Sequence, residues 1–435
     1  MAKFILRRLL FMLLTMLIVS IAVFLICEVA PGDVAQHLLG QFATPEQVES
    51  FREQLGLNQS LQVRYLNWLI GSDWRAGAKV GLPLRRIKTP NTDFYEWWAK
   101  EPDGTLIRWK LDGEDLIAMR LQPDGTAVES VDNGRWQTDE DGVSSFWGVD
   151  HLNHAVQWVK GGDATFWMKS KGAGWWVEQK GGAVKYIPLQ RGLLRGDPGE
   201  STQTRQPVAD TIVRRVRNSA ILAGIAFAIV MPLALVLGLI AGINEGKAID
   251  RILSIGGLIT TATPNFATGV FLILLFAYWL QVLPGATVFA SERAIFQNPK
   301  MLILPVATLT LIELGYVLRI TRASMVEVMG SGYIRTAVLK GLPYPRIIFR
   351  HALRNALMAP ITVIMLHVNW LMGGIVVVEA IFGFPGLGMY LLNAAMYKDV
   401  FAIEAGAMVM VILAVGTQLV ADIIYTFLNP RIRYA

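Results

Sequence analysis

Four polar side chains stand inside otherwise apolar stretches of this 435-residue chain: Asn265, Glu313, His367 and Asn369. A charged Glu313 facing lipid would cost on the order of 3 kcal/mol, so it must face protein, water or a partner subunit. Two readings fit it: an acid snorkelling or paired near the inner boundary, with Arg319 six residues on, or a group lining a polar path. His367 and Asn369 either satisfy polar groups of neighbouring helices or line a cavity. No second His, Cys or carboxylate stands at ligand spacing, so no metal site is expected. The single cysteine, Cys27, excludes an intrachain disulfide and a thiolate cluster. There is no glycine-rich phosphate loop ending in Lys-Ser/Thr, no HExxH, no Ser-His-acid set and no paired acids on one span. The chemistry available is therefore the accommodation of a polar solute in an apolar medium rather than bond making.

A second set of residues is basic. Lys340, Arg346, Arg350, His351 and Arg354 surround the break Gly341-Leu342-Pro343-Tyr344-Pro345 within the segment 331–360. From Thr321 to Asn355 six Arg or Lys oppose one acid, Glu327, a bias that places this loop in the cytoplasm. Ile334, Val338, Ile347, Ile348 and Leu353 recur at helical spacing, so the loop should pack against something. Gly341, Pro343 and Pro345 predict a fixed corner between two short helices, which a solvated basic hinge would not need.

The elements that position both sets are long apolar runs. The chain is 53% hydrophobic and 17% charged, too apolar for an ordinary soluble protein and too charged to be membrane throughout. Uncharged runs of bilayer length fall at 9–27, 219–244, 252–280, 355–378 and 405–421, and a sixth, 301–318, is interrupted only by Glu313. In lipid each must be a helix. Lys3, Arg7 and Arg8 precede the first run, which lacks a small-x-small cleavage site. An uncleaved first helix with its N-terminus inside is expected. The net charge of +6 is concentrated near the ends of spans, which suits orientation and argues against nucleic acid as a partner. Pro232 and the pair Pro264-Asn265 interrupt spans two and three, either as packing kinks or where a water-filled path satisfies the freed backbone. Trp68 is expected to anchor an amphipathic helix at the interface.

Residues 71–190 differ from the rest. They hold 10 of the 13 Trp and 17 of the 34 acids, with no run long enough to span, and must lie outside if the N-terminus is inside. Asp103-Gly104, Asp112-Gly113, Asp124-Gly125, Asn133-Gly134 and Asp141-Gly142 recur between alternating segments and read as hairpin turns of a small antiparallel sheet domain. Three further strands are expected between Ala155 and Pro188. The Trp side chains at 109, 136, 147, 158, 167 and 175 either build the core of a thin sheet, offer faces to sugars or cationic groups, or dock a binding protein or the outer leaflet.

The basic stretch YIRTAVLKGL with RHALRNAL resembles the coupling-helix loop of bacterial ABC importer permeases, in particular the B-type member of the peptide/nickel branch. The family's opening Glu-Ala pair is Arg335-Thr336 here, followed by Ala337 and Gly341. The resemblance extends to Ala30-Pro31-Gly32-Asp33, the segment TPEQ from Thr44, LGLN at 55–58, and Tyr65 with Trp68. It includes Glu379, Phe382 and Pro385-Gly386-Leu387-Gly388, and the terminal Asn429-Pro430-Arg431-Ile432-Arg433-Tyr434. It covers about residues 1–70 and 190–435; an ordinary member lacks the long insert between them. It implies an all-α polytopic fold of six transmembrane helices of the type I importer kind, with a β-rich extracytoplasmic insert added. The divisions would be 1–70 (first span and external helix), 71–190 (insert) and 191–435 (permease core, with a cytoplasmic coupling loop at 320–355). Arg335, Thr336, Ala337, Gly341, Pro343, Arg346, Arg350 and His351 would couple to ATPase subunits. Glu379, Pro385, Gly386 and Gly388 would form an external re-entrant turn. Asn265, Glu313, His367 and Asn369 would line the translocation path. The implied partners are a second similar permease, two ATPase subunits carrying the ATP and Mg, an extracytoplasmic substrate-binding protein and a peptide cargo. This chain itself would bind no cofactor. Oligosaccharide or nickel/chelate import are the alternatives within the family, and a membrane-anchored external binding module is the alternative outside it.

Overall fold

Apolar runs in this chain become helices because only internal hydrogen bonding satisfies their backbone once water is excluded. The computed structural model describes residues 2–29, 34–40, 42–88, 95–160, 176–179, 182–204, 206–287 and 298–428. Its long helices are Ala2–Val29, Val208–Ile243, Lys300–Met329, Met358–Phe382 and Val400–Leu428. Among the described residues four helices are long and apolar enough to cross a membrane, or up to seven spans if each bent pair counts as one. The chain is an integral membrane protein. Two compact units divide it: 1–16, 212–393 and 408–435 in one, 17–211 and 394–407 in the other.

In the first unit, glycines let helices cross with their backbones in contact. A Cβ on Gly315 would stand 2.1 Å from the Gly257 carbonyl oxygen, so helix Lys300–Met329 lies directly on helix Ala248–Ala262. A Cβ on Gly238 would approach Thr321 Cβ to 2.5 Å, and one on Gly242 would approach Met325 Cβ to 2.6 Å, which brings helix Val208–Ile243 to the same helix. Pro232 and Pro305 sit within continuous helices and end neither. The third apolar run is not one rod. It breaks at Thr263-Pro264 into Ala248–Ala262 and a second limb, Asn265–Trp279, bent by 107°. That limb ends in a wide turn in which Leu280 N–H reaches the Leu275 carbonyl at 3.0 Å. The chain turns extended at Thr263 (ψ 130), the residue whose helical conformation Pro264 disfavours.

In the second unit, Thr44 caps helix Pro45–Gln54 in a reciprocal box with Gln47, at 3.3 and 3.0 Å. Trp68 is not an interfacial anchor. It is 2% exposed, its ring 6.3 Å from Phe24 and 6.0 Å from Tyr65, and the Tyr65 hydroxyl meets Ser20 Oγ at 2.8 Å. Helix Leu61–Ile70 therefore packs on the first helix.

Among the described residues ten strands follow: β1 (Leu84–Lys88), β2 (Tyr95–Lys100), β3 (Leu106–Asp112), β4 (Asp115–Leu121), β5 (Ala127–Val131), β6 (Gln137–Thr138), β7 (Ser144–Val149), β8 (His154–Lys160), β9 (Trp176–Gln179) and β10 (Gly182–Pro188). They form two antiparallel sheets, ordered β1-β2-β3-β4-β5 and β6-β7-β8-β10-β9. Gly104, Gly113, Gly125 and Gly142 take positive φ at the hairpin turns, as Asp-Gly pairs favour. Asn133-Gly134 is not a hairpin: it begins a short 3-10 turn that carries the chain from one sheet to the other. Trp167 and Trp175 lie outside the described residues.

The facing layers share one aromatic core. Trp109 and Trp158 lie 5.2 and 5.8 Å from the Phe146 ring, with Trp97, Ile107 and Tyr186 alongside. Trp98, at 1% exposed, lies beneath the guanidinium of Arg108. Burial, with Asp150 and Glu53 adding to it, pushes the Tyr186 phenol up to about 12. Trp109→Ala should destabilise the sandwich by about 3–5 kcal/mol, read as faster protease cleavage within 84–188 of the full chain. Cleavage at the wild-type rate would show that the two sheets do not depend on this ring.

Candidate functional site

The basic loop begins where helix Lys300–Met329 ends. Helix Gly332–Leu339 closes in a left-handed cap: Gly341 has φ +71, its N–H reaches the Val338 carbonyl at 2.9 Å, and Leu342 N–H reaches the Ala337 carbonyl at 3.3 Å. An added Cβ at Gly341 would meet nothing within 4 Å, so glycine is required there by backbone conformation and not by crowding. Pro343 then opens the next helix, which runs from Tyr344 to Ala356 through a wider turn at Ile347–Ala352. This is the corner the sequence predicts.

The two helices bury Ile334, Ala337, Ile347, Ile348, Ala352 and Ala356 against Met325. Asn355 donates to the Tyr333 hydroxyl at 2.8 Å, and Ser324 donates to the Ala356 carbonyl at 2.8 Å. The opposite face carries Arg335, Thr336, Gly341, Pro343, Arg346 and Arg350, all exposed, with His351 half-buried; Ala337 points inward. Val338, expected to pack, is 53% exposed, and Leu339 and Phe349 are 80% and 67% exposed. An exposed apolar patch interleaved with cations is a surface shaped for a partner. Arg322, one of the six basic residues of the stretch, is committed elsewhere. It makes a two-pronged ion pair with the buried Asp250 at 2.5 and 2.8 Å, which Gly246 N–H and Ser254 also approach.

The second constellation surrounds Glu379. The chain leaves helix Met358–Phe382 through Gly383 (φ +65) and re-enters a helix at Leu387, the two axes bent by 71°. Glu379 is fully buried. One carboxylate oxygen accepts from Ser219 Oγ, and the other from the N–H groups of Gly388 and Met389 at 2.7 and 3.2 Å. Ser219 in turn accepts from Leu387 N–H at 2.8 Å, and Asn218 donates to the Pro385 carbonyl at 2.9 Å. The carboxylate thus occupies the N-terminus of the second helix, where orphan donors and the helix dipole favour an anion. Gly386 is fixed by crowding, since a Cβ there would fall 1.9 Å from Glu379 Oε1; at Gly388 it would fall 2.7 Å from Val376 Cα. Sequence reasoning singled out Glu379, Pro385, Gly386 and Gly388 but missed Asn218 and Ser219. An Asn-Ser pair at the start of an apolar run was the available signal.

The four polar positions do not gather into one described site. Asn265 begins the second limb of the broken helix and is half-buried; its Nδ2 would lie 3.8 Å from a Cβ on Gly374 of helix Met358–Phe382. Glu313 is 4% exposed within helix Lys300–Met329. His367 and Asn369 belong to helix Met358–Phe382, and their side chains lie outside the described residues. Among the described residues no group of three or more His, Cys, Asp or Glu could hold a metal ion.

Glu379→Ala would strand three donors in an apolar setting and should destabilise the chain by on the order of 3 kcal/mol. Gly386→Ala should act in the same direction through collision with the same carboxylate. Unfolding of each solubilised variant in mixed detergent micelles measures this, and a wild-type curve for both would remove Glu379 as the anchor of the turn.

Comparison with known proteins accords with this anatomy. The family model described as binding-protein-dependent transport system inner membrane component matches residues 234–434, and the model for the N-terminal part of such membrane components matches residues 1–78. Neither covers 79–233, which contains the ten strands. The oligopeptide transport system permease protein AppB of Bacillus subtilis is 33% identical over 254 residues, 58% of this chain and 80% of the relative. The oligopeptide permease protein OppB of Haemophilus influenzae is 34% identical over 251 residues, with the same shares. The dipeptide permease protein DppB of Escherichia coli is 30% identical over 273 residues, again 58% and 80%. A chain with these matches at both ends, a bent apolar helix pair anchored through Glu379 and an apolar-basic loop apex belongs to the family of inner-membrane permease components of binding-protein-dependent transport systems.

Proposed function

We propose that this chain is one of two permease subunits of an ABC importer for di- or oligopeptides. In this reading it crosses the bacterial inner membrane six times, with both termini inside and residues 71–190 outside. The observation that carries the reading is the apex of the 331–356 loop, where Arg335, Arg346 and Arg350 stand exposed beside Leu339 and Phe349 on a scaffold buried from behind. Such a rigid projecting surface suits an ATPase subunit whose closure must be transmitted to the membrane helices. The ATP and Mg belong to that partner, and this chain contributes positioning alone. The spans are 2–29, 208–243, the bent pair 248–279, 300–329, 358–382 and 400–428, with the Glu379 turn on the outer side. Asn265, Glu313, His367 and Asn369 are assigned to the translocation path.

Peptide is the cargo because the relatives matched over 80% of their length carry oligopeptide and dipeptide in their names. Oligosaccharide drew its support from the density of Trp in the insert. Trp97, Trp109 and Trp158 are all 4% exposed or less and belong to the sandwich core, which weakens that support.

Two experiments test the reading. A non-glycine residue at φ +71 is strained by about 1–3 kcal/mol, and with a β-branched side chain the corner should rearrange. Gly341→Val should therefore abolish dipeptide uptake and ATPase co-purification while the chain still inserts; wild-type uptake would separate the loop from energy coupling. In a Cys27→Ala background, Cys replacing the exposed Ser130 should react with an impermeant thiol reagent in spheroplasts, and Cys replacing Thr336 only after lysis. The reverse pattern would invert the topology. Mass spectrometry of the ligand carried by the cognate binding protein identifies the cargo, and a glycan or metal chelate would overturn the peptide assignment.

A further inference from the structure

Two connected cavities lie in the second compact unit, lined by none of the residues assigned to the translocation path. The outer one, about 430 Å³, opens between the ends of the sheets and the segment after them, with Tyr95, Trp97, Asn153 and Glu200 in its wall. The inner one, about 50 Å³, lies deeper among Glu28, Arg64, Trp68 and Glu404. Gln190, Thr202 and Phe401 line both, so the inner chamber continues the outer one.

The inner chamber is built for a polar occupant. Glu404 is 1% exposed and Trp68 2%. Glu404 Oε1, Gln190 Oε1, Thr202 Oγ1 and Trp68 Nε1 are all buried without a hydrogen-bond partner among the described residues. Buried polar atoms are normally paired, and four orphans around one small chamber mark a site whose partner is something else. The charges do not balance either. Arg64 is the one cation in the chamber wall against two carboxylates, and its hydrogen-bonded ion pair, at 2.5 Å, is with Glu28, which leaves one negative charge in excess beside Glu404. The volume has room for a few water-sized groups.

We propose that these chambers bind an α-ammonium carbonyl compound, its primary ammonium seated in the inner chamber against Glu404. The orphan set matches that unit: three acceptors, on Glu404, Gln190 and Thr202, for the three N–H bonds of an ammonium, and one donor, Trp68 Nε1–H, for the adjacent carbonyl oxygen. The body of the ligand extends into the outer chamber, whose volume is that of a small-molecule pocket. Its charged lining, Arg86 and Arg191 against Glu96, Asp197 and Glu200, leaves no net positive charge to hold a free carboxylate. An amino-acid amide or the amino end of a peptide has this chemistry, and the proposal does not depend on which solute the transporter moves.

The test uses the full-length chain in lipid nanodiscs, with L-phenylalaninamide and N-acetyl-L-phenylalaninamide as probes and isothermal titration as readout. The free amine should bind saturably and at least about tenfold more tightly than its acetylated counterpart, a difference of about 1.4 kcal/mol. The isosteric Glu404→Gln, which keeps the shape of the chamber and removes its charge, should erase that preference. Equal binding of the two probes to the wild type, or no binding of the free amine at concentrations up to about 10 mM, would overturn the proposal without reference to any variant. Retention of the preference in E404Q would overturn it as well. None of these outcomes bears on uptake, so the result stands apart from the assignment of cargo.

Discussion

The physical constraint behind this architecture is that a helix interrupted in an apolar medium must find protein partners for every backbone group the interruption frees. The turn after Phe382 meets it with a single buried carboxylate, since Glu379 takes up two N–H groups of the returning helix while Ser219 takes up a third. The Phe382 carbonyl, last of the outgoing helix, receives both the N–H and the hydroxyl of Thr287 at 2.8 and 2.9 Å. Before the other break, the hydroxyls of Thr260, Thr261 and Thr263 bond back to the Gly257 and Ile259 carbonyls, so they are occupied within their own helix. Polar residues in these apolar runs are therefore accounted for first by the backbone.

A second constraint follows from the absence of a strong hydrophobic drive between helices in lipid. Close approach through small residues replaces it. Gly257 with Gly315, and Gly238 and Gly242 with Thr321 and Met325, gather two helices around the C-terminal half of helix Lys300–Met329. The ion pair of Asp250 with Arg322 clamps the same region. Because the apolar-basic loop is the direct continuation of that helix, a push on its apex meets a packed and ion-paired stem rather than a free hinge.

Sequence reasoning reached the helices and the corner at Gly341 because both depend on local signals: length of apolar run, charge bias, and residues that fix φ. It reached the Asp-Gly turns for the same reason. It went astray where the outcome depends on tertiary partners. Asn133-Gly134 looks like its neighbours yet connects two sheets, and Trp68 looks like an interfacial ring yet is buried against Phe24. Val338 keeps helical spacing with Ile334 but falls on the outer face. Asp250, Asn218, Ser219 and Glu404 were silent, since their significance lies in pairings across 72 to 168 residues or in a pairing that is missing.

The sheets enter and leave the chain at one pinch. Ser72 N–H reaches the Gln190 carbonyl at 2.9 Å, its hydroxyl donates to the Pro188 carbonyl at 2.6 Å, and a Cβ on Gly71 or Gly192 would collide with the opposite strand of the junction. Arg86 bonds Asp197 and Glu200 just beyond it. Chain ends already held side by side can be bridged by a residue or two, so the sandwich could have been acquired, and could be excised or exchanged for another module, without moving the helices on either side. Glycine at both lips of the junction would then be the lasting scar of that graft.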